Sequence, residues 1–335
     1  MKAMVIDDSK KGLQGLKLND VEEASAPQAG EITVRLKASS LNYHDYGVVS
    51  GQMPAEEGRI PLSDGAGVIE EVGEGVSEFK SGDAVVSCFF PDWLTGGPEV
   101  DDFTRTPGDG IDGYAREVVT LPAHYFTKAP VGWSHSEAAT ITTAGLTAWR
   151  ALVVEGGLKA GDKVLLLGTG GVSVYALQIA KAMGAQVAIT SSSDAKLEKA
   201  KALGADFTVN YKQDEEWGQT VVRWAVGGVD HVVEVGGPGT LAQSIEACKI
   251  GGNIVLIGVL TGVEGKIPTA TLMRKQITLS GVIVGSRLMQ MEFVRGLEQM
   301  KFKPVVDKSF PLHALAEAFR YEEAGEHFGK IAITI

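Results

Sequence analysis

The sequence predicts an α/β protein in two parts, a β-rich leading segment and a doubly wound parallel sheet. Three observations carry that expectation. The leading part alternates apolar and polar residues one by one; the middle alternates short apolar runs with helix-length segments; and a glycine-rich turn joins the first such run to the first such helix.

In the stretch from Glu31 to Lys37, Ile32, Val34 and Leu36 alternate with Thr33, Arg35 and Lys37, a period of two that buries one face of a strand. Gly65 to Gly73 and Ala84 to Cys88 read as further strands, with a turn at Gly82-Asp83 between them. Pro91 to Gly113, rich in Pro, Gly and Asp, reads as a surface loop. Lys163 to Leu167 is a continuous apolar run after its first residue, as suits a strand covered on both faces. Helices are expected over Val172 to Met183, Ala195 to Leu203, Glu215 to Ala225 and Leu241 to Cys248. They alternate with strands at Gln186 to Thr190, Phe207 to Asn210, His231 to Val235, Asn253 to Ile257 and Ile277 to Val284. Such alternation implies right-handed crossovers in a parallel sheet. The tail reads as helices over Gln290 to Met300 and Leu312 to Ala324 and a strand over Lys330 to Ile335. It is expected to return to the first domain, giving one domain of residues 1–123 with 285–335 and another of 124–284.

Bulk properties narrow the function. A chain of 335 residues with 44% hydrophobic content is long enough for two domains with their own cores. A net charge of −11 argues against non-specific nucleic-acid binding and against anionic membranes; the expected partner is a small-molecule substrate. Asp7 and Asp8 interrupt the N-terminal segment, so no secretory leader is expected, and no run is long and apolar enough for a membrane span. Cys88 and Cys248 are too few for a disulfide framework or a four-thiolate zinc lobe, and they fit a reducing cytosol.

The sharpest motif is Gly168-Thr169-Gly170-Gly171-Val172-Ser173, which follows a predicted strand and opens a predicted helix. Gly168 suits a tight turn, Gly170 lets backbone approach a pyrophosphate, and the helix N-terminus offers unpaired N–H groups. Ser173 stands where the fingerprint usually has its third glycine. The arrangement predicts a dinucleotide on a Rossmann-type domain. About 20 residues on, where a carboxylate would select NAD, the chain has Thr190-Ser191-Ser192-Ser193 with Lys196 nearby. Hydroxyls and an ammonium suit a 2′-phosphate, so NADPH (NADP⁺) is the expected cofactor, with Tyr211 beside the same phosphate. Asp194 is the rival group that could instead reach a ribose hydroxyl.

Several segments together resemble the medium-chain dehydrogenase/reductase superfamily along nearly the whole chain. They are Ser40 to Asp45, Asp64 to Val68 with Val72 to Val76, Phe79 to Asp83, Ala144 to Trp149, Gly161-Asp162, the turn above, Leu203 to Asp206, and Gly329-Lys330. The resemblance is nearest to the zinc-free quinone oxidoreductase and alcohol dehydrogenase-like branch. It implies a GroES-like β-rich catalytic domain beside the Rossmann domain, and a homodimer paired through the Ile277–Val284 strands, with a tetramer as the alternative. It also implies that Thr143, Thr147, Gly236, Gly258, Val259, Val284 and Lys330 lie near the cofactor, Lys330 at its phosphates.

The positions that match the zinc ligands of related alcohol dehydrogenases are Asn42, Ser63 and Thr143, none of which offers thiolate or imidazole, and the loop of the structural zinc lacks cysteine. No zinc is therefore expected. Without a Lewis acid, hydride transfer to a quinone, enone or similar conjugated carbonyl is the easier chemistry, because hydrogen-bond donors can meet the charge that forms on oxygen. Asn42 is the candidate donor and His44 the candidate proton donor. Tyr43 and Asp45 share their turn, and Asp45 is a candidate for ordering it. The alternatives are a metal-free NADP-dependent alcohol dehydrogenase or aldehyde reductase, and an NADPH-binding sensor or crystallin-like protein with little turnover.

Overall fold

The computed structural model describes residues 1–335. It divides into two units, Met1–Leu146 with Val284–Ile335, and Thr147–Ile283. In chain order the first unit contains β1 (Lys2–Ile6), β2 (Leu16–Asp20), β3 (Glu31–Ser40), α1 (Tyr43–Val49), β4 (Ala66–Val72), β5 (Ala84–Ser87), β6 (Val118–Pro122), β7 (Phe126–Lys128) and α2 (His135–Ala139). After α3 (Leu146–Trp149), the second unit contains β8 (Lys163–Leu166), α4 (Gly171–Ala182), β9 (Gln186–Ser191), α5 (Asp194–Ala202), β10 (Phe207–Asn210) and α6 (Trp217–Ala225). It continues with β11 (Val229–Glu234), α7 (Pro238–Ala247), β12 (Cys248–Leu256), α8 (Thr269–Arg274) and β13 (Thr278–Gly281). The chain then rejoins the first unit as α9 (Arg287–Met300), β14 (Val306–Pro311), α10 (Leu315–Glu323) and β15 (Lys330–Thr334).

In the first unit, β14-β15-β3-β4-β5-β7 form one sheet, with β6 also on β3, and β1-β2 form a separate hairpin. The alternation read in β3 buries Ile32, Val34 and Leu36 in one core with Ile69, Val85 and Phe126. The returning tail is as expected: β15 runs antiparallel to β3, with Ala332 opposite Ser40. On another core, Val48 and Val49 of α1 pack with Leu62, Phe319 and Ile331, which ties α1 to α10 and β15.

The first unit extends beyond the expected boundary after residue 123. The cause is β7, which pairs with β5 (Val86 opposite Thr127) and draws the following α2 onto the same sheet. β1, β2 and β14 were not anticipated, and β14 lies parallel to β15. The segment from Pro91 to Gly113 forms no strand, but it is not merely a cover: Trp93 and Thr106 are buried. Its glycines have a packing reason, since a Cβ on Gly113 would lie 2.2 Å from the Leu62 carbonyl oxygen.

In the second unit all six strands are parallel, in the order β10-β9-β8-β11-β12-β13. The strand sequence runs outward in both directions from β8, so the carboxyl ends of β8 and β11 flank the switch point where such sheets bind ligands. No helix of the protein is long and apolar enough to cross a membrane.

Candidate functional site

The polar core of the first unit grows out of sheet register. β15 opposes β3 with Ala332 across from Ser40, so Lys330 falls across from the residues just past β3, Leu41 and Asn42. Gly329 precedes it with φ +84, and a Cβ there would lie 2.6 Å from the Val305 carbonyl oxygen, so glycine is needed to deliver the lysine. The Lys330 side chain is almost wholly buried. Its ammonium donates to the Leu41 carbonyl and, at 2.6 Å, to Asn42 Oδ1, and lies 3.7 Å from Asp64 Oδ2.

Asn42 begins α1, and Asp45 in its first turn closes the end of the helix. Asp45 Oδ2 accepts from the Asn42 backbone N–H (3.1 Å) and from Asn42 Nδ2 (3.0 Å), while Oδ1 accepts from the Ser63 N–H (2.9 Å). The second Asn42 Nδ2 contact, to Ser63 Oγ, is long at 3.5 Å. Leu62, just before Ser63, adopts φ +78, an unfavourable value for a bulky residue, with Gly108 and Gly113 packed so closely on its backbone that neither has room for a Cβ. The chain then turns Asp64 inward, where Oδ1 accepts from Thr143 Oγ1 (2.7 Å) and Oδ2 from Ser40 Oγ. Burial raises the pKa of Asp45, and the charge of Asp64 raises it further.

Two acids that the sequence did not disclose, Asp109 and Glu322, complete this region. His44 Nε2 lies 3.1 Å from Asp109 Oδ2, off the line of a hydrogen bond, with its ring against Phe103 (4.5 Å between centroids) and Phe89 (5.4 Å). Glu322 of α10 has a buried Oε2 without a hydrogen-bond partner. Burial pushes its pKa up to about 7; Lys330 opposes that shift, while Asp45 and Asp64 add to it. Tyr43, by contrast, is exposed.

In the second unit the turn after β8 has the anticipated form. Gly168 takes φ +72, and its N–H reaches Thr190 Oγ1 at 3.3 Å. Ser173 suits the third fingerprint position because its hydroxyl turns back to donate to the Leu167 carbonyl at 2.7 Å. Gly170 has φ −78 and ψ −174, open to any residue, and a Cβ there meets no atom within 4 Å. Neither backbone nor packing requires this glycine; the close approach of a ligand would. Thr169 is buried, while Gly171 and Val172 open α4.

At the end of β9, Ser191 Oγ accepts from the Ser193 N–H (3.2 Å) and Ser193 caps α5. Ser192 and Lys196 remain half-buried and Tyr211 is exposed. Asp194, the rival for a ribose, is engaged by Asn210 Nδ2 (2.7 Å) and Gln213 Nε2 (3.0 Å). At the end of β11 the fully buried Glu234 Oε1 accepts from the N–H groups of Gly236 (2.7 Å) and Gly237 (3.1 Å) and from Thr240 Oγ1 (2.6 Å). This carboxylate shapes the loop containing Gly236, a role the sequence does not mark because its partners are two backbone amides and two hydroxyls. Gly258 and Val259 lie in the loop after β12, with Val259 exposed, and Thr147 is buried. Of the remaining expected cofactor residues, Thr143, Val284 and Lys330 belong to the first unit. Thr143 and Lys330 sit in the Asp64 cluster, so the Lys330 ammonium is already committed to groups other than phosphate. Val284 is buried with φ +44, an unfavourable conformation for a β-branched residue.

Comparison with known proteins agrees with this architecture. Residues 28–131 match the alcohol dehydrogenase GroES-like domain and residues 171–301 the zinc-binding dehydrogenase family. A zinc-type alcohol dehydrogenase-like protein of Schizosaccharomyces pombe is 41% identical over 341 residues, spanning 99% of this chain and 98% of its own. Among solved structures, an NAD-dependent alcohol dehydrogenase aligns with a TM-score of 0.90 at 35% identity, covering 100% of both chains. A quinone oxidoreductase of Pseudomonas syringae pv. Tomato DC3000 aligns with a TM-score of 0.83 at 26% identity, covering 100% of this chain and 99% of its own. The chain belongs to the medium-chain dehydrogenase/reductase superfamily and is an oxidoreductase of that family.

The family names imply zinc, and the residues present do not fit it. Asn42 Oδ1 faces an ammonium, Thr143 Oγ1 donates to Asp64, and Ser63 offers only a hydroxyl. A tetrahedral site wants thiolate, imidazole or carboxylate ligands, and no group of three His, Cys, Asp or Glu side chains is arranged to hold an ion.

Two outcomes follow. Gly170→Ala is expected to leave thermal unfolding nearly unchanged while weakening binding of a reduced nicotinamide dinucleotide by roughly tenfold or more, measured by nucleotide fluorescence; unchanged affinity would contradict a pyrophosphate role for this turn. Glu322 keeps its proton to about pH 7 when folded, against a reference value of 4.5, so the folded state binds more protons across that window and stability falls as pH rises through it. Glu322→Gln removes this loss. Denaturant titrations should show the variant gaining on wild type between those two pH values, by up to about 3 kcal/mol. A pH-independent difference would show that Glu322 titrates normally.

Proposed function

We propose that this protein is a zinc-independent, NADPH-dependent reductase of quinones, enones or similar conjugated carbonyls. The observation that carries the reading is the donor set at the positions matching the zinc ligands: an oriented amide and two hydroxyls, with an ammonium behind the amide. Thr143 spends its proton on Asp64, so the donors left for an acceptor oxygen are the Asn42 Nδ2 hydrogen with only the long Ser63 contact and the Ser63 hydroxyl; these can meet negative charge by hydrogen bonding, and the set has no means of holding a Lewis acid.

When bound, NADPH supplies the hydride. The backbone N–H groups at the start of α4 would hold its pyrophosphate. Ser191, Ser192, Lys196 and Tyr211 favour a 2′-phosphate, and Asn210 and Gln213 occupy the Asp194 carboxylate that would otherwise bind a ribose hydroxyl. Asn42 orients the acceptor through its amide. His44, with Asp109 close to its ring, is the proton donor for the reduced acceptor. Asp45 acts at one remove by holding the Asn42 backbone and amide in place.

A second reading, reduction of a carbonyl or oxidation of an alcohol, is favoured by the similarity to alcohol dehydrogenases. Product analysis separates the two. With NADPH and an enone, the saturated ketone is expected, with kcat/KM for NADPH exceeding that for NADH by roughly tenfold or more. The allylic alcohol as product, or turnover confined to alcohols with NAD⁺, would overturn the reading. His44→Ala is expected to lower kcat by about two orders of magnitude, and unchanged kcat would remove His44 as the proton donor.

A further inference from the structure

Lys330 is the one ammonium buried among the acidic groups of the first unit. Facing it are Asp64 from the segment before β4, Asn42 from the start of α1 and the Leu41 carbonyl just past β3; Glu322 of α10 feels its charge, and Asp45 stands on the far side of the Asn42 amide. The Asn42 amide is held from both sides. Its Oδ1 receives the ammonium, and its Nδ2 points to Asp45 and, more loosely, to Ser63.

The two ends of an amide are nearly equal in size, so hydrogen bonding alone decides which way it points. Reversed, Asn42 would set its NH2 against the ammonium and its oxygen against the Asp45 carboxylate, two repulsive contacts at once. Charge on the carbonyl side has a second effect. It draws electron density toward Oδ1 and makes the Nδ2 hydrogens stronger donors, the direction that favours an acceptor oxygen becoming negative.

We propose that Lys330 is a positioning residue for reduction: its ammonium fixes and polarises the Asn42 amide, doing so from inside the protein rather than at a cofactor phosphate. This rests on the reading in which Asn42 meets the acceptor.

Removing the lysine alone leaves Asp64 buried without its cation, which can unfold the chain. The test therefore compares Lys330→Met with the double variant Lys330→Met/Asp64→Asn, in which both charges are gone. The double variant is expected to fold and to bind NADPH with unchanged affinity. Its kcat for enone reduction should nevertheless fall by roughly tenfold or more with little change in KM. The side-chain NH2 resonances of Asn42 in the free protein should shift and exchange faster with solvent. Wild-type kcat in the double variant would show that Lys330 merely neutralises Asp64, and would overturn the proposal. Failure of both variants to fold would do the same by making the lysine part of the scaffold. If wild type reduces no conjugated acceptor, the functional reading falls on its own. The Asn42 resonances then decide the positioning claim separately: unchanged signals in the double variant would end it.

Discussion

The first unit is organised around an ammonium taken out of water. Burying Lys330 is tolerable only because its donors are received by the Leu41 carbonyl and the Asn42 amide, with Asp64 close by. That requirement reaches back through the structure. It calls for Gly329 to deliver the lysine, for the antiparallel register of β15 on β3, and for the strained turn at Leu62 that brings Ser63 and Asp64 inward. Much of this unit's irregular backbone thus serves one charged cluster. The cost of collecting carboxyl groups there is visible in Glu322 and Asp45, whose proton affinities are raised first by burial and then by like charge, Asp64 acting on both and Asp45 also on Glu322.

The second unit solves a different problem with less charge. Its ligand edge is made of backbone, shaped by a few buried side chains: Thr190 and Ser173 behind the first turn, Glu234 behind the second. Glu234 has no cation beside it among its hydrogen-bond partners; amides and hydroxyls satisfy it. Fixed loops of this kind leave little backbone to be ordered when a ligand arrives, which favours binding by preorganisation.

What could be read from the sequence was local. The alternation of Ile32, Val34 and Leu36, the apolar run before Gly168 and the six-strand rhythm of the second unit each express a period, and each corresponds to an element in the structure. The short strand β7 carries too few residues for a period, so the division was placed after residue 123 instead of after Leu146. Side-chain partnerships were less legible because they join distant positions. Lys330 and Asn42 are 288 residues apart in sequence, and nothing near Lys330 distinguishes a buried cation from a surface one that reaches a phosphate. Asp109 lay inside a loop read only as covering, and Glu322 inside a helix whose neighbouring acids are exposed. The Asn42 to Asp45 turn was legible because its parts are three residues apart.

The account stands on the claim that an amide, hydroxyls and an internal ammonium occupy the place that related dehydrogenases give to a metal. Metal content measured on purified, enone-reducing enzyme addresses it most directly. Substoichiometric zinc with full turnover, unaffected by a strong chelator, is the result this arrangement predicts. One zinc per chain, with activity lost on chelation and restored by zinc, would contradict it.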